Sequence, residues 1–152
     1  MTPHQVHLVQ TSFRAVTADS AAVARAFYAR VFELDPALRT LFRGDIAEQG
    51  EKLMHMLTLV VNGLERIADL APSLRTMGKR HGSYGVRRYD FDTIGTALLD
   101  TLGQRLGDSF DRDTELAWRE AYAVLAREMR FGMAEGDTVP AGLWASERAV
   151  MG

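Results

Sequence analysis

Residues 27–53 read FYARVFELDPALRTLFRGDIAEQGEKL, and this stretch decides the fold. Its first part carries apolar residues at helical spacing, which predicts an amphipathic helix bearing Phe27 and Tyr28. Pro36 ends that helix and opens a short second one, because proline suits a first helical turn and disfavours helix at the residue before it. A third helix begins near Gln49. The stretch therefore predicts three consecutive helices with short connections.

The same periodicity extends over most of the chain, while no segment shows the two-residue alternation of a strand. Pro72 predicts the start of a further helix that carries His81. We predict an all-α protein with six or seven helices and no sheet. Residues 1–135 form one domain, and residues 136–152 form a C-terminal tail that is partly ordered at best, because their composition turns mixed around Pro140.

The composition excludes several classes of protein. The chain has 152 residues, of which 47% are hydrophobic, so one domain can bury a real core. A formal net charge of -2 makes nucleic acid an unexpected partner. The absence of cysteine excludes disulfides, iron–sulfur clusters and thiolate-ligated haem. The N-terminus resembles no signal peptide and the apolar runs are too short to cross a bilayer, so we expect a cytoplasmic protein without a membrane segment.

One histidine and two polar residues stand out against this apolar pattern. His81 is either an axial iron ligand or a partly buried histidine satisfied by hydrogen bonds, and the second reading is the commoner one for a single histidine. Tyr28 and Gln49 lie on faces that otherwise look apolar. Two hydrogen-bond donors opposite one histidine would suit a diatomic ligand on iron, and Phe42 would pack against a flat macrocycle.

With these residues in this order, the chain resembles a bacterial single-domain haemoglobin, similar to the globin domain of flavohaemoglobins, from about Ser12 to Met129. The resemblance rests on order, spacing and residue type together. It is carried by Phe27-Tyr28-x-x-x-Phe32, Pro36-x-x-x-x-Leu41-Phe42, Gln49-x-x-x-Leu53, His81, Gly95 and Ala117-Trp118-x-x-Ala121-Tyr122.

This resemblance implies a globin fold around haem b, with His81 as the proximal iron ligand. It places Tyr28 and Gln49 on the distal side, where a gas would bind. The residues that it implies as further haem contacts are Phe42, Leu53, Arg80, Tyr84, Val86, Phe91, Ile94, Leu98 and Tyr122. Lys79, Arg87 or Arg88 would pair with a haem propionate or would form a solvated basic cluster.

The implied function is reversible binding of oxygen, nitric oxide or carbon monoxide at ferrous iron. Two alternatives stay open. One is nitric oxide dioxygenation with an external reductase, because these residues contain no flavin- or nicotinamide-binding segment. The other is gas sensing through a partner protein.

Two departures from the family pattern concern the iron. Flavohaemoglobins place a tyrosine and a glutamate behind the proximal histidine, whereas here those positions correspond to Phe91 and Met133, with Glu135 close by. Peroxidase-like chemistry is therefore less expected. The corner between Phe42 and Gln49 is also short, so the distal assignment could shift by one turn. Lys52 or Met56, on the same helical face, is then an alternative sixth iron ligand.

Overall fold

The fold is a set of six α-helices joined by short 3-10 segments. The computed structural model describes residues 1–42, 44–83 and 85–136, and over these residues it contains no strand, which confirms the all-α prediction. The helices are α1 (Pro3–Val16), α2 (Ser20–Leu34), α3 (Ile46–Asn62), α4 (Ile67–Ser83), α5 (Asp90–Leu106) and α6 (Arg112–Gly136). The 3-10 segments are Thr17–Asp19, Pro36–Leu41, Leu64–Arg66 and Gly107–Ser109.

Aspartate side chains fix where the early elements begin. Asp19, Asp35 and Asp45 each accept a hydrogen bond from a backbone N–H two or three residues ahead, at 3.2, 3.1 and 2.9 Å. Such caps satisfy N–H groups that have no partner within the helix. The short connections predicted from the sequence therefore have a local cause.

The predicted start of α4 at Pro72 is wrong. The helix begins at Ile67, directly after a 3-10 turn, and Pro72 lies inside it. A proline inside a helix removes one backbone hydrogen bond. At the other end of the chain, α6 reaches Gly136, and residues 137–152 lie outside the described part. The domain boundary at residue 135 stays a prediction.

The close crossing of α4 and α6 positions His81. A Cβ atom at Gly78 would overlap the Met129 carbonyl oxygen, and one at Gly132 would overlap the Arg75 carbonyl oxygen. The two backbones therefore touch where glycine leaves room for them. His81 lies three residues beyond Gly78, so this crossing holds the last turn of α4 in place.

The core lies between these helices and contains buried apolar residues from all six of them. Trp118 on α6 donates a buried hydrogen bond of 2.8 Å to Ser12 on α1, so the first and last helices are directly connected. No helix in the described ranges has the length and apolar character needed to cross a membrane.

Candidate functional site

Five helices and the Pro36–Leu41 segment enclose an apolar cavity of about 390 Å³. Every site residue predicted from the sequence lines it, with one exception. The lining includes Tyr28, Phe42, Gln49, Leu53, Arg80, His81, Val86, Phe91, Ile94, Leu98 and Tyr122. The exception is Tyr84, which lies outside the described residues.

His81 contributes an imidazole ring to the cavity, and one of its two nitrogens already has a hydrogen-bond partner. Its Nδ1 lies 2.6 Å from the Met77 carbonyl oxygen, one helical turn earlier. Since a carbonyl can only accept, Nδ1 carries the proton, and the lone pair is left on Nε2. Burial lowers the pKa of His81 below its usual value, although the Met77 bond opposes that effect. A neutral, oriented imidazole is the form that binds iron.

Tyr28 and Gln49 form a polar spot on the α2 and α3 walls. The buried Tyr28 hydroxyl donates to the Gln49 backbone carbonyl oxygen at 3.3 Å. Burial raises the pKa of Tyr28 to about 12, so the hydroxyl keeps its proton at neutral pH and acts as a donor. Gln49 is only 5% exposed, although it lies in the first turns of a helix. Both side chains therefore present hydrogen-bonding groups to an otherwise apolar cavity.

An aromatic cluster holds Tyr28 in position. Its ring lies 5.2 Å from the ring of Phe27 and 5.2 Å from that of Phe42, both edge-to-face, and stacks at 6.2 Å on Phe32. Edge-to-face pairs of this kind add stability beyond the area they bury. Phe42 thus lines the cavity and also packs against Tyr28.

Gly95 explains how Tyr122 reaches the cavity. The Tyr122 hydroxyl donates to the Phe91 carbonyl oxygen at 2.6 Å, which draws its ring across α5. A Cβ atom at Gly95 would lie 2.5 Å from a carbon of that ring. The glycine is therefore required by the close approach of the ring rather than by backbone conformation.

Among the described residues, the hydrogen-bond partner of His81 is the Met77 carbonyl oxygen and not a carboxylate. Met133 is 6% exposed and packs beside Gly82, next to the histidine. The Glu135 side chain lies outside the part of the chain that the structure describes. Lys52 and Met56, the alternative sixth ligands, both line the cavity.

Several lining residues were not predicted from the sequence to be part of the site, although Phe27 and Leu41 belong to the motifs quoted above. They are Phe27, Val31, Leu38, Leu41, Leu57, Met77, Leu125 and Met129. Most of them belong to apolar stripes at helical spacing, which predict a core but cannot say which part of it lines a cavity.

The donor set fits a metal held in a macrocycle better than a bare ion. Within the described ranges, no three His, Cys, Asp or Glu side chains come together as a metal site. A single oriented imidazole at an apolar cavity supplies one axial ligand, which is what haem requires from the protein.

Comparison with known proteins decides the family. The globin family model matches residues 25–129. The chain belongs to the globin family. This globin is 28% identical to neuroglobin of Danio rerio over 142 residues, which cover 84% of this chain and 89% of that protein. It is 25% identical to neuroglobin-1 of Oncorhynchus mykiss over 149 residues, which cover 89% of this chain and 94% of that protein.

A solved structure agrees with this family assignment. The globin superposes on an engineered carbene transferase, made from a Rhodothermus marinus protein described as a nitric oxide dioxygenase, with a TM-score of 0.81 and 25% identity. The match covers 91% of this chain and 96% of the other. The predicted fold and family are thus confirmed, and haem-dependent binding of small gases follows from the family.

Proposed function

We propose that this globin holds haem b through Nε2 of His81 and reversibly binds oxygen, or another diatomic gas, at ferrous iron. The observation that carries the proposal is the 2.6 Å bond from His81 Nδ1 to the Met77 carbonyl oxygen. That bond fixes the ring orientation and leaves one nitrogen available for iron. The haem would supply the iron that binds the gas, and the residues of the chain would set how tightly the gas is held.

Tyr28 and Gln49 are the proposed distal donors. Oxygen bound to ferrous iron carries partial negative charge, so hydrogen bonds to it are worth about 1.5–3 kcal/mol each. Because about 1.4 kcal/mol is a factor of ten, two such donors would slow oxygen release by about two to four decades. The present Tyr28 bond to the Gln49 carbonyl is long, at 3.3 Å, so the hydroxyl gives up little when it turns to the gas.

The apolar residues that line the cavity also affect the strength of the proposed distal hydrogen bonds. Tyr28 and Gln49 are both buried among them, and a hydrogen bond made there would be stronger than one made in water. Phe42, Leu53 and Leu98 are proposed to pack against the macrocycle, and Arg80, which also lines the cavity, is proposed to reach its carboxylates.

Nitric oxide dioxygenation is the second candidate, favoured by the structural likeness to the Rhodothermus protein. In that reaction nitric oxide, oxygen and one electron give nitrate, so an external reductase is proposed to supply the electron. Gas sensing through a partner and a sixth iron ligand from Lys52 or Met56 are retained as weaker alternatives. The cytoplasm is the proposed compartment.

The test is an absorption series on the purified protein with haem, in the ferric, ferrous and carbon monoxide forms. We expect a five-coordinate ferrous spectrum that converts to a carbon monoxide complex. A sharply split low-spin band pair in the ferrous protein would instead assign the sixth position to Lys52 or Met56. A colourless protein after expression with ample haem would overturn the proposal.

A further inference from the structure

The end of α4 is closed by a turn that begins at the proposed iron ligand. The Val86 N–H donates to the His81 carbonyl oxygen at 3.1 Å, and the Gly85 N–H donates to the Gly82 carbonyl oxygen at 3.2 Å. Gly85 has a φ of +100°, a conformation that favours glycine. These features form the Schellman motif, in which carbonyls of the last helical turn find partners beyond the helix. The His81 carbonyl is therefore held by the residue five positions ahead of it.

Val86 connects this helix cap to the cavity. Its side chain is buried, and it lines the cavity together with His81. The same residue thus contributes to the wall of the proposed haem site and fixes the main chain of the iron ligand. If Val86 moved, the last turn of α4 would lose its cap, and the imidazole would move with that turn.

A buried carboxylate holds the peptide group that follows Val86. Asp90 accepts a hydrogen bond of 2.8 Å from the Arg87 backbone N–H, and two more, both of 3.2 Å, from Arg87 Nε and Nη2. The Asp90 N–H in turn donates to the Arg87 carbonyl oxygen at 3.0 Å. The N–H groups of Val86 and Arg87 are consecutive, and one is bonded to His81 and the other to Asp90. Both peptide groups that flank Val86 are therefore fixed.

The burial of Asp90 is more than a helix start requires. Asp19 and Asp45 cap α2 and α3 from exposed positions, whereas Asp90, at the start of α5, is 0% exposed. A buried carboxylate loses its hydration and is tolerated when hydrogen bonds and an opposite charge replace the water. The bonds from Arg87 do so here. The carboxylate is thus satisfied when the turn has this arrangement, and a displaced turn would leave it without those bonds.

The Arg87 guanidinium also has partners other than Asp90. It lies over the Tyr89 ring, with 4.3 Å between Cζ and the ring centroid. Hydrogen bonding to Asp90 raises the pKa of Arg87, and the negative charge of Asp35 adds to that effect. Arg87 therefore keeps favourable contacts when Asp90 is replaced, so the loss in such a variant falls mainly on the turn.

We propose that Asp90 is a positioning residue for the proximal imidazole. It fixes the peptide group after Val86, and Val86 holds the turn of α4 that carries His81. This inference rests on the proposed function, because the orientation of the ring matters for iron. The Met77 carbonyl orients the ring from within the helix, and Asp90 keeps in place the turn from which the ring projects. Without that carboxylate, the imidazole should take up several orientations, and the haem should be held less firmly.

Two variants at Asp90 and one control separate positioning from stability. Asp90→Ala removes the side-chain acceptors of the Arg87 N–H, whereas Asp90→Asn keeps one oxygen for it. Ser12→Ala is the matched control, because it removes the buried hydrogen-bond acceptor of Trp118 and Ser12 does not line the cavity. Urea denaturation should show a loss of stability in all three variants, so the deciding measurements are made at the turn and at the ring.

The first measurement needs no haem. Amide hydrogen exchange of Val86 in the full-length haem-free chain reports on its bond to the His81 carbonyl. The net contribution of one hydrogen bond corresponds to about two- to tenfold in an equilibrium constant. We therefore expect exchange at Val86 to be about two- to tenfold faster in Asp90→Ala. Asp90→Asn should lie between Asp90→Ala and the wild type, and Ser12→Ala should match the wild type because this cap opens locally.

The second measurement uses the haem-loaded ferrous protein. Resonance Raman spectroscopy records the stretching band of the bond between iron and the imidazole, which responds to the orientation and hydrogen bonding of the ring. We expect a broadened and shifted band in Asp90→Ala, partial recovery in Asp90→Asn, and the wild-type band in Ser12→Ala. Haem transfer to excess apomyoglobin should be about two- to tenfold faster in Asp90→Ala, and within about twofold of the wild type in Ser12→Ala.

The inference requires both changes in Asp90→Ala, at the Val86 amide and in the iron–imidazole band. Either of them unchanged, or equal changes in Ser12→Ala, would overturn it. If Asp90→Ala does not fold, Asp90→Asn decides by the same two measurements. A protein that binds no haem would refute the proposed function instead, and the exchange at Val86 would still decide whether Asp90 holds the cap.

Discussion

Replacing Tyr28 by phenylalanine removes one oxygen atom from the distal wall and little else. The Tyr28 ring is held by edge-to-face contacts to Phe27 and Phe42, and a phenylalanine ring would keep both. The lost bond to the Gln49 carbonyl is long, at 3.3 Å, so we expect a loss in the free energy of unfolding of no more than about 1 kcal/mol.

The effect on gas binding should be much larger than the effect on stability. The hydroxyl is buried, and burial raises its pKa to about 12, so at neutral pH it is a fully protonated donor in an apolar cavity. A hydrogen bond to a charged acceptor is worth about 1.5–3 kcal/mol. Tyr28→Phe should therefore release oxygen about 10- to 100-fold faster.

Stopped-flow displacement of oxygen by carbon monoxide measures that rate. Carbon monoxide carries little charge, so its own dissociation from the variant should change much less than that of oxygen. Tyr89→Phe is the matched control, because it removes a hydroxyl from an exposed tyrosine outside the cavity wall. An oxygen dissociation rate unchanged in Tyr28→Phe would refute the role of the hydroxyl.

Two further predictions concern packing and pH. Gly95→Ala should lower the free energy of unfolding by about 1–3 kcal/mol, because its Cβ would lie 2.5 Å from the Tyr122 ring. Gly103→Ala on the same helix is the control: its Cβ would meet no atom closer than 3.5 Å, so it should raise the free energy of unfolding by up to about 1 kcal/mol. Urea denaturation measures both variants. If Gly95→Ala proved more stable than Gly103→Ala, the close approach of the Tyr122 ring would be contradicted. The haem-free protein should lose stability as pH falls below about 6.5, since burial lowers the pKa of His81 in the folded chain and the unfolded chain binds more protons. The pH dependence of stability should be weaker in His81→Ala. Urea midpoints measured between about pH 5 and 7 test this. If the midpoint changed equally with pH in the two proteins, the His81 ring would not be buried and neutral.

The helical architecture could be predicted because its signals are local. Apolar spacing acts within a few residues, so the presence of α2 and α3 could be predicted. The start of α3 could not, because the helix begins at Ile46, after the Asp45 cap, and not near Gln49. The start of α4 could not be predicted in this way. The turn before Ile67 runs directly into the helix, and Pro72 is accommodated within it.

The candidate site was predictable as a set of residues, but its geometry was not. The reason for Gly95 is a tyrosine ring from a helix far along the chain, and no local signal reports such a contact. The Tyr28 bond to the Gln49 carbonyl likewise spans 21 residues.

The most direct test of this account is the position of iron in crystals of the haem-loaded protein, located by its anomalous scattering. We expect one peak inside the cavity, within bonding distance of His81 Nε2, with Tyr28 and Gln49 on the opposite face. A peak bound elsewhere, or a His81 ring turned so that Nδ1 leaves the Met77 carbonyl and Nε2 faces solvent, would contradict it.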